Sequence, residues 1–205
     1  MKMKSCLFRL WVVTIFSTLW VVLSGCASSP SRFYLLTSLD TTSPEMKPPA
    51  EERCLSIGIG PIKIPEYIDR QEIVIQRAPN EFKLAELDRW GEPIKDNLTR
   101  VLAKNISLLV CTKAVAFFPW RGVLPMDYRI QMEVLRLDGN LGGSVSLEAW
   151  WVVLSGDGKS MLLAKKSSFT EAVGGKDFKS LVAAESRTVG RLSAEIAEAI
   201  RTLRK

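Results

Sequence analysis

Residues 128–172 constrain the fold of this chain more than any other stretch. YRIQMEVLRLDG sets Tyr128, Ile130, Met132, Val134, Leu135 and Leu137 in near-strict alternation with polar residues, with a register break expected at Val134–Leu135. GNLGG turns the chain, and SVSLEAWWVVLS returns with Val145, Leu147, Ala149 and Trp151 on one face. GDGK is a hairpin signal, because Asp and Gly tolerate the left-handed conformations of tight turns, and SMLLAKKSSFTEAV follows as a third strand. The result is an antiparallel meander with one apolar face that needs cover. Trp150 and Trp151 point to opposite faces of such a strand, so at least one must meet a helix, a neighbouring protomer or solvent.

Two amphipathic helices supply that cover. Ile94, Leu98, Val101, Leu102, Ile106 and Leu109 recur at helical spacing opposite Lys95, Asp96, Arg100 and Lys104, and Pro93 suits a first-turn position. Near the end of the chain, Phe178, Val182, Val189, Leu192, Ile196, Ala199 and Leu203 line one stripe of a helix of about 25 residues. Gly190 inside it costs about 1 kcal/mol relative to Ala unless close packing uses the missing side chain. Arg201, Arg204 and Lys205 complement its negative end. The expected fold class is α+β: a two-layer domain, with a mixed, mainly antiparallel sheet and two amphipathic helices packed against it.

Ahead of the first helix, Leu55, Ile57 and Ile59 alternate with Ser56, Gly58 and Gly60, a strand whose glycines let something approach closely. Pro61 and Pro65 demote its continuation to an edge or an extended crossing. QEIVIQR at 71–77 is a second short strand, and a third is expected around Phe82–Leu84. Trp90 reads as a core or capping aromatic at the helix entrance. KAVAFFPW, after the helix, reads as a strand running into an aromatic loop.

The N-terminus has a different grammar. Lys2, Lys4 and Arg9 precede an apolar run from Leu10 to Leu23, shorter than the roughly 20 residues a bilayer core needs, and LSGC follows at 23–26. This combination resembles the lipobox of bacterial lipoproteins, which implies cleavage before Cys26 and acylation of that cysteine. Two or more acyl chains anchor stably where one binds only reversibly. Ala27 and Ser28 follow, with no Asp beside the cysteine, which by the same resemblance points to the outer membrane. The expected organisation is a signal peptide at 1–25, a lipidated N-terminus with a first strand at 32–37 and a loose loop at 26–50, and a single α+β domain at 51–205, which that first strand joins.

Charge and residue inventory exclude several functions. The formal charge of +6 falls to +3 once residues 1–25 leave with Lys2, Lys4 and Arg9, and no dense Lys/Arg stripe remains to hold nucleic acid. The chain has no histidine, so Ser-His-Asp and Cys-His catalysts are ruled out. Cys6 leaves with the signal and Cys26 is the lipid site. Cys54 and Cys111 are too few for a four-cysteine zinc site and either pair or stay as buried thiols. No enzyme, cofactor or metal is expected. GxxxxGK[ST] is also missing, so any ATP use belongs to a partner.

Several segments together resemble the auxiliary lipoproteins of ABC-type transport systems, the PqiC/YmbA-like family: LSGC, RFYLL at 32–36, IGIGPIKIPEYIDRQEIVIQ at 57–76, LDRWGEPIKDNLTRVLAKNI at 87–106 and LVAAESRTVGRLSAEIAEAI at 181–200. The resemblance implies a docking adaptor on the periplasmic side of the outer membrane, in a system that moves phospholipid or other hydrophobic molecules between membranes. It implies as partners an MCE-domain protein that spans the periplasm and an inner-membrane ABC or paraquat-inducible-type complex, and it allows a homo-oligomeric ring. The rival reading is a structural accessory lipoprotein of an outer-membrane assembly complex. For partner binding the candidates are Pro65, Tyr67 and Arg70, with a purely structural role as the alternative, and Phe118, Trp120 and Arg121, with packing beneath their loop as the alternative.

Overall fold

The structure is a computed structural model that describes residue 11 and residues 29–40, 53–120 and 125–204. Cys26, Arg121, the loop at 41–52 and the signal segment apart from Trp11 lie outside the described residues. The chain divides into two units, Met1–Pro30 and Ser31–Lys205, and every element below belongs to the second. Its strands are β1 (Arg32–Tyr34), β2 (Leu55–Lys63), β3 (Glu72–Ala78), β4 (Glu81–Trp90), β5 (Thr112–Phe117), β6 (Tyr128–Gly139), β7 (Ser144–Ser155) and β8 (Met161–Ala172). Its helices are α1 (Ile94–Leu109) and α2 (Phe178–Leu203).

The meander forms as expected and is the larger part of a five-stranded sheet of order β5-β2-β6-β7-β8, antiparallel across β6, β7 and β8. Its register shifts between Val134 and Arg136, so Leu135 is the extra residue of a bulge. Val145, Leu147, Ala149 and Trp151 are almost completely buried on one face, while Trp150 is half-exposed on the other. At about 1.5–3 kcal/mol for each large apolar side chain, this face and the stripes of α1 and α2 carry most of the driving force for folding. A polar chain spans the layers: the Trp151 indole donates to Ser167 Oγ at 2.8 Å, and Ser167 donates to Glu195 on α2, which also pairs with Lys165.

β2 lies inside the sheet as far as Ile59, parallel to both β5 and β6, and beyond Pro61 it pairs with β6 alone, so its continuation is an edge as expected. Pro61 fits there because the ladder to β5 ends at Ile59–Phe117 and the ladder to β6 shifts register between Ile59 and Ile62, so no partner needs its missing N–H. β4 is longer than expected and delivers Trp90 to the core as its last residue. With β1 and β3 it forms a second, three-stranded sheet of order β1-β4-β3. Pro93 takes the cap position just outside α1.

The first strand is three residues rather than six. Beyond Tyr34 the chain leaves the ladder and runs along the helices, whose polar side chains take its N–H groups: Leu36 donates to Asn97 Oδ1 at 2.6 Å, Thr37 to Ser186 Oγ at 3.0 Å and Leu39 to Asn105 Oδ1 at 2.8 Å. A side chain at 190 would put its Cβ 2.7 Å from Leu39 Cδ2, so Gly190 is where this strap crosses α2. Close packing therefore uses the glycine that helix propensity alone disfavours. A disulfide joins Cys54, just before β2, to Cys111, just before β5, with the two Cα atoms 4.5 Å apart.

Candidate functional site

The glycines of β2 receive an aromatic ring from the same chain. Gly58 and Arg129 are registered across β2 and β6, and the Trp120 ring lies over Gly58, where a Cβ would come within 2.8 Å of it. The Arg129 guanidinium sits 5.7 Å from the Trp120 centroid, and Phe118 meets that ring edge-on at 5.8 Å. Trp120 is thus packed against the sheet face that α1 and α2 leave uncovered. Phe117 and Phe118 remain about half-exposed at the end of β5.

Pro61 lines two grooves. One, of about 440 Å³, runs between Ile59–Ile62, the first turns of α1 (Lys95, Thr99, Arg100) and Phe117–Pro119. The other, of about 200 Å³, lies along β6 and β7 beneath Trp150. Three half-exposed aromatic side chains, Phe117, Phe118 and Trp150, thereby flank one proline. Exposed aromatic groups beside formed depressions are the surface that partner binding uses most, since they bury large area at low entropy cost. Sequence reasoning reached Phe118 through the broken strand FFPW, and the WW pair showed that one tryptophan needed outside cover. It missed the contribution of Phe117.

The Pro65–Arg70 segment is built differently. Its turn is closed by Ile68 and Asp69 N–H groups donating to the Pro65 carbonyl. Tyr67 stacks on Phe82 at 4.9 Å and donates its hydroxyl to Asp138 Oδ2 at 2.7 Å. Asp138 is buried and also accepts from Arg136 Nε at 2.9 Å, while Arg136 reaches Gln76 on β3. Burial, then the hydrogen bond to Asp138 and its charge, push the Tyr67 phenol far above its ordinary range. This network ties the two sheets together and commits the Tyr67 hydroxyl internally. Arg70 is exposed and makes no side-chain ion pair among the described residues.

Glu185 on α2 is also buried, with Oε2 unpartnered among the described residues, beside a cavity of about 10 Å³ lined by Ile68, Val74, Trp90, Ile94 and Leu137. Desolvation, with a smaller contribution from the Asp138 charge, raises its pKa to about 8, so it is held largely as the neutral acid at neutral pH. No group of three or more His, Cys, Asp or Glu side chains suited to a metal occurs among the described residues, and no helix there is long and apolar enough to cross a membrane.

An α+β domain with a network of buried polar ties and half-exposed aromatic side chains beside two grooves is the class of protein defined by these features. The family model of the ABC-type transport auxiliary lipoprotein component matches residues 34–197, and the chain belongs to that family. Two solved structures share the fold. One is of an uncharacterised protein, 14% identical, with a TM-score of 0.67, covering 84% of this chain and 99% of that one. The other is a Xanthomonas campestris protein of the DUF330 family, 16% identical, with a TM-score of 0.65, covering 82% of this chain and 93% of that one. No curated protein matches the chain in sequence.

Proposed function

We propose that this auxiliary lipoprotein is a non-catalytic docking adaptor, anchored through acylated Cys26 in the outer membrane with its domain in the periplasm. Its partner is an MCE-domain protein that spans the periplasm, working with an inner-membrane ABC or paraquat-inducible-type complex to move phospholipid or other hydrophobic molecules. Membership of the transport auxiliary family supports the transporter link, and the LSGC-Ala-Ser sequence supports the outer-membrane anchor. The observation that carries the docking role is the half-exposed trio Phe117, Phe118 and Trp150 around the two grooves that share Pro61.

The test is affinity purification of the lipidated protein from mild detergent at native expression, with mass spectrometry of the co-eluting envelope proteins. The wild-type chain is expected to recover the MCE-domain protein with its inner-membrane complex. A Phe118→Ser, Trp150→Ser double variant, with an unchanged thermal melt, is expected to lose both. Recovery of an unrelated outer-membrane assembly in their place overturns the proposal in favour of a structural accessory role.

A further inference from the structure

The RFYLL segment contains a feature that the docking surface leaves unused. Arg32 and Tyr34 turn inward to Asp88: Arg32 pairs with it at 2.8 Å, and the Tyr34 hydroxyl donates to it at 2.8 Å. Phe33 is registered with Arg89 and therefore projects from the opposite face of the three-stranded sheet, where it is 66% exposed. Leu35 continues that face over Gly91 and is 47% exposed, and Leu87, two residues before Arg89 on β4, is 37% exposed. A phenylalanine and two leucines thus surround the Arg89 position on the outer face of the small sheet.

We infer that this face, centred on Phe33 and Leu35, seats in the interfacial layer of the membrane that holds the lipid anchor. The inference rests on the reading of Cys26 as the acylated residue. Cys26 and Arg32 are six residues apart, a reach of about 20 Å when fully extended. That is about half the length of α2, whose 26 residues span about 39 Å. The domain is therefore held with its chain-entry end toward the bilayer, and that end carries Phe33 one residue into the first strand. Tyr34 and the first residue of α2, Phe178, have ring centroids 6.4 Å apart, so Lys176 and Lys179, which flank Asp177 and Phe178, place cations at the same end. Exposed apolar side chains with basic residues at the same end of the domain are a composition that suits a lipid–water interface. Orientation follows from this contact: the small sheet lies on the membrane while the Phe118–Trp150 surface stays free for a partner.

The native cysteines make the test clean, because Cys26 is acylated and Cys54 is bonded to Cys111, leaving an introduced thiol as the labelling site. Phe33→Cys carries an environment-sensitive fluorophore on the full lipidated protein, reconstituted into vesicles of phosphatidylethanolamine and phosphatidylglycerol containing nitroxide-labelled lipid. Met161→Cys is the control: it is exposed, and it lies at the far end of β8 from the β8–α2 connection. Both variants are expected to float with the vesicles and to melt like the parent. The label at 33 shifts to the blue and loses most of its emission to the nitroxide, while the label at 161 does neither. If both float and position 33 stays as water-exposed as 161, the seated face is wrong and the anchor stands. If neither floats, the anchor reading fails, and the seating falls with it.

Discussion

The two sheets use apolar side chains in opposite ways. In the five-stranded sheet, Val145, Leu147, Ala149 and Trp151 form an unbroken buried face on β7, against which α2 packs. In the three-stranded sheet, Ile73, Val74, Ala85 and Trp90 join the core and Arg32 and Tyr34 add polar ties to Asp88, while Phe33, Phe82, Leu84 and Leu87 are all more than a third exposed. The difference shows where stability and recognition reside. The large sheet draws its stability from one continuous buried face, whereas the small one combines a shorter buried set with directional bonds and leaves several apolar side chains at the surface.

Removing the heart of the large face is the most damaging change. Trp151→Ala is expected to cost about 3–5 kcal/mol and to remove the indole donor to Ser167, read as a large fall in thermal midpoint. Equal stability in that variant would erase the contrast between the sheets. Replacing Cys54 and Cys111 together by serine opens a 57-residue loop and is expected to cost about 4 kcal/mol, measured by urea unfolding against the oxidised parent.

Glu185 gives a pH-dependent probe of the same core. Its pKa is about 8 when folded, against an ordinary value of 4.5, so between these values the folded state holds a proton that the unfolded state has lost. Stability therefore falls as pH rises from about 4.5 to about 8, and this group contributes no slope below that window. Glu185→Gln removes the slope. Its gain over the parent is expected to grow from near zero at pH 4.5 to the order of a few kcal/mol at pH 8, read from melts across the range. The smallest effect belongs to the exposed face: Phe33→Ser should change stability by less than about 0.5 kcal/mol. A large loss there would mean that Phe33 belongs to the core and would undo the comparison.

Much of this was legible from residue spacing. The meander, both helical stripes, the bulge at Leu135 and the opposite orientations of Trp150 and Trp151 follow from periods of two and 3.6, because each period assigns side chains to faces locally. The buried polar residues also left a signal. Asn97 and Asn105 fall on the apolar stripe of α1, and Glu185 lies three residues after Val182 on that of α2. A polar residue on a buried stripe requires a partner or a protonation change, although spacing alone names neither.

The sequence by itself determined the α+β class, the paired faces of β7 and the extent of the C-terminal helix, since all of these depend on neighbours within a few residues. Only the tertiary structure decided that β2 runs inside the sheet as far as Ile59, that the strand begun at Arg32 is abandoned for a strap across Asn97, Asn105 and Gly190, and that Trp120 closes over Gly58. Each of these depends on groups brought together from distant parts of the chain: where the β5 ladder stops, which side chains on α1 and α2 offer acceptors, and which ring reaches a missing Cβ. Local periodicity sets which face a residue shows; the packing of other elements sets what that face meets.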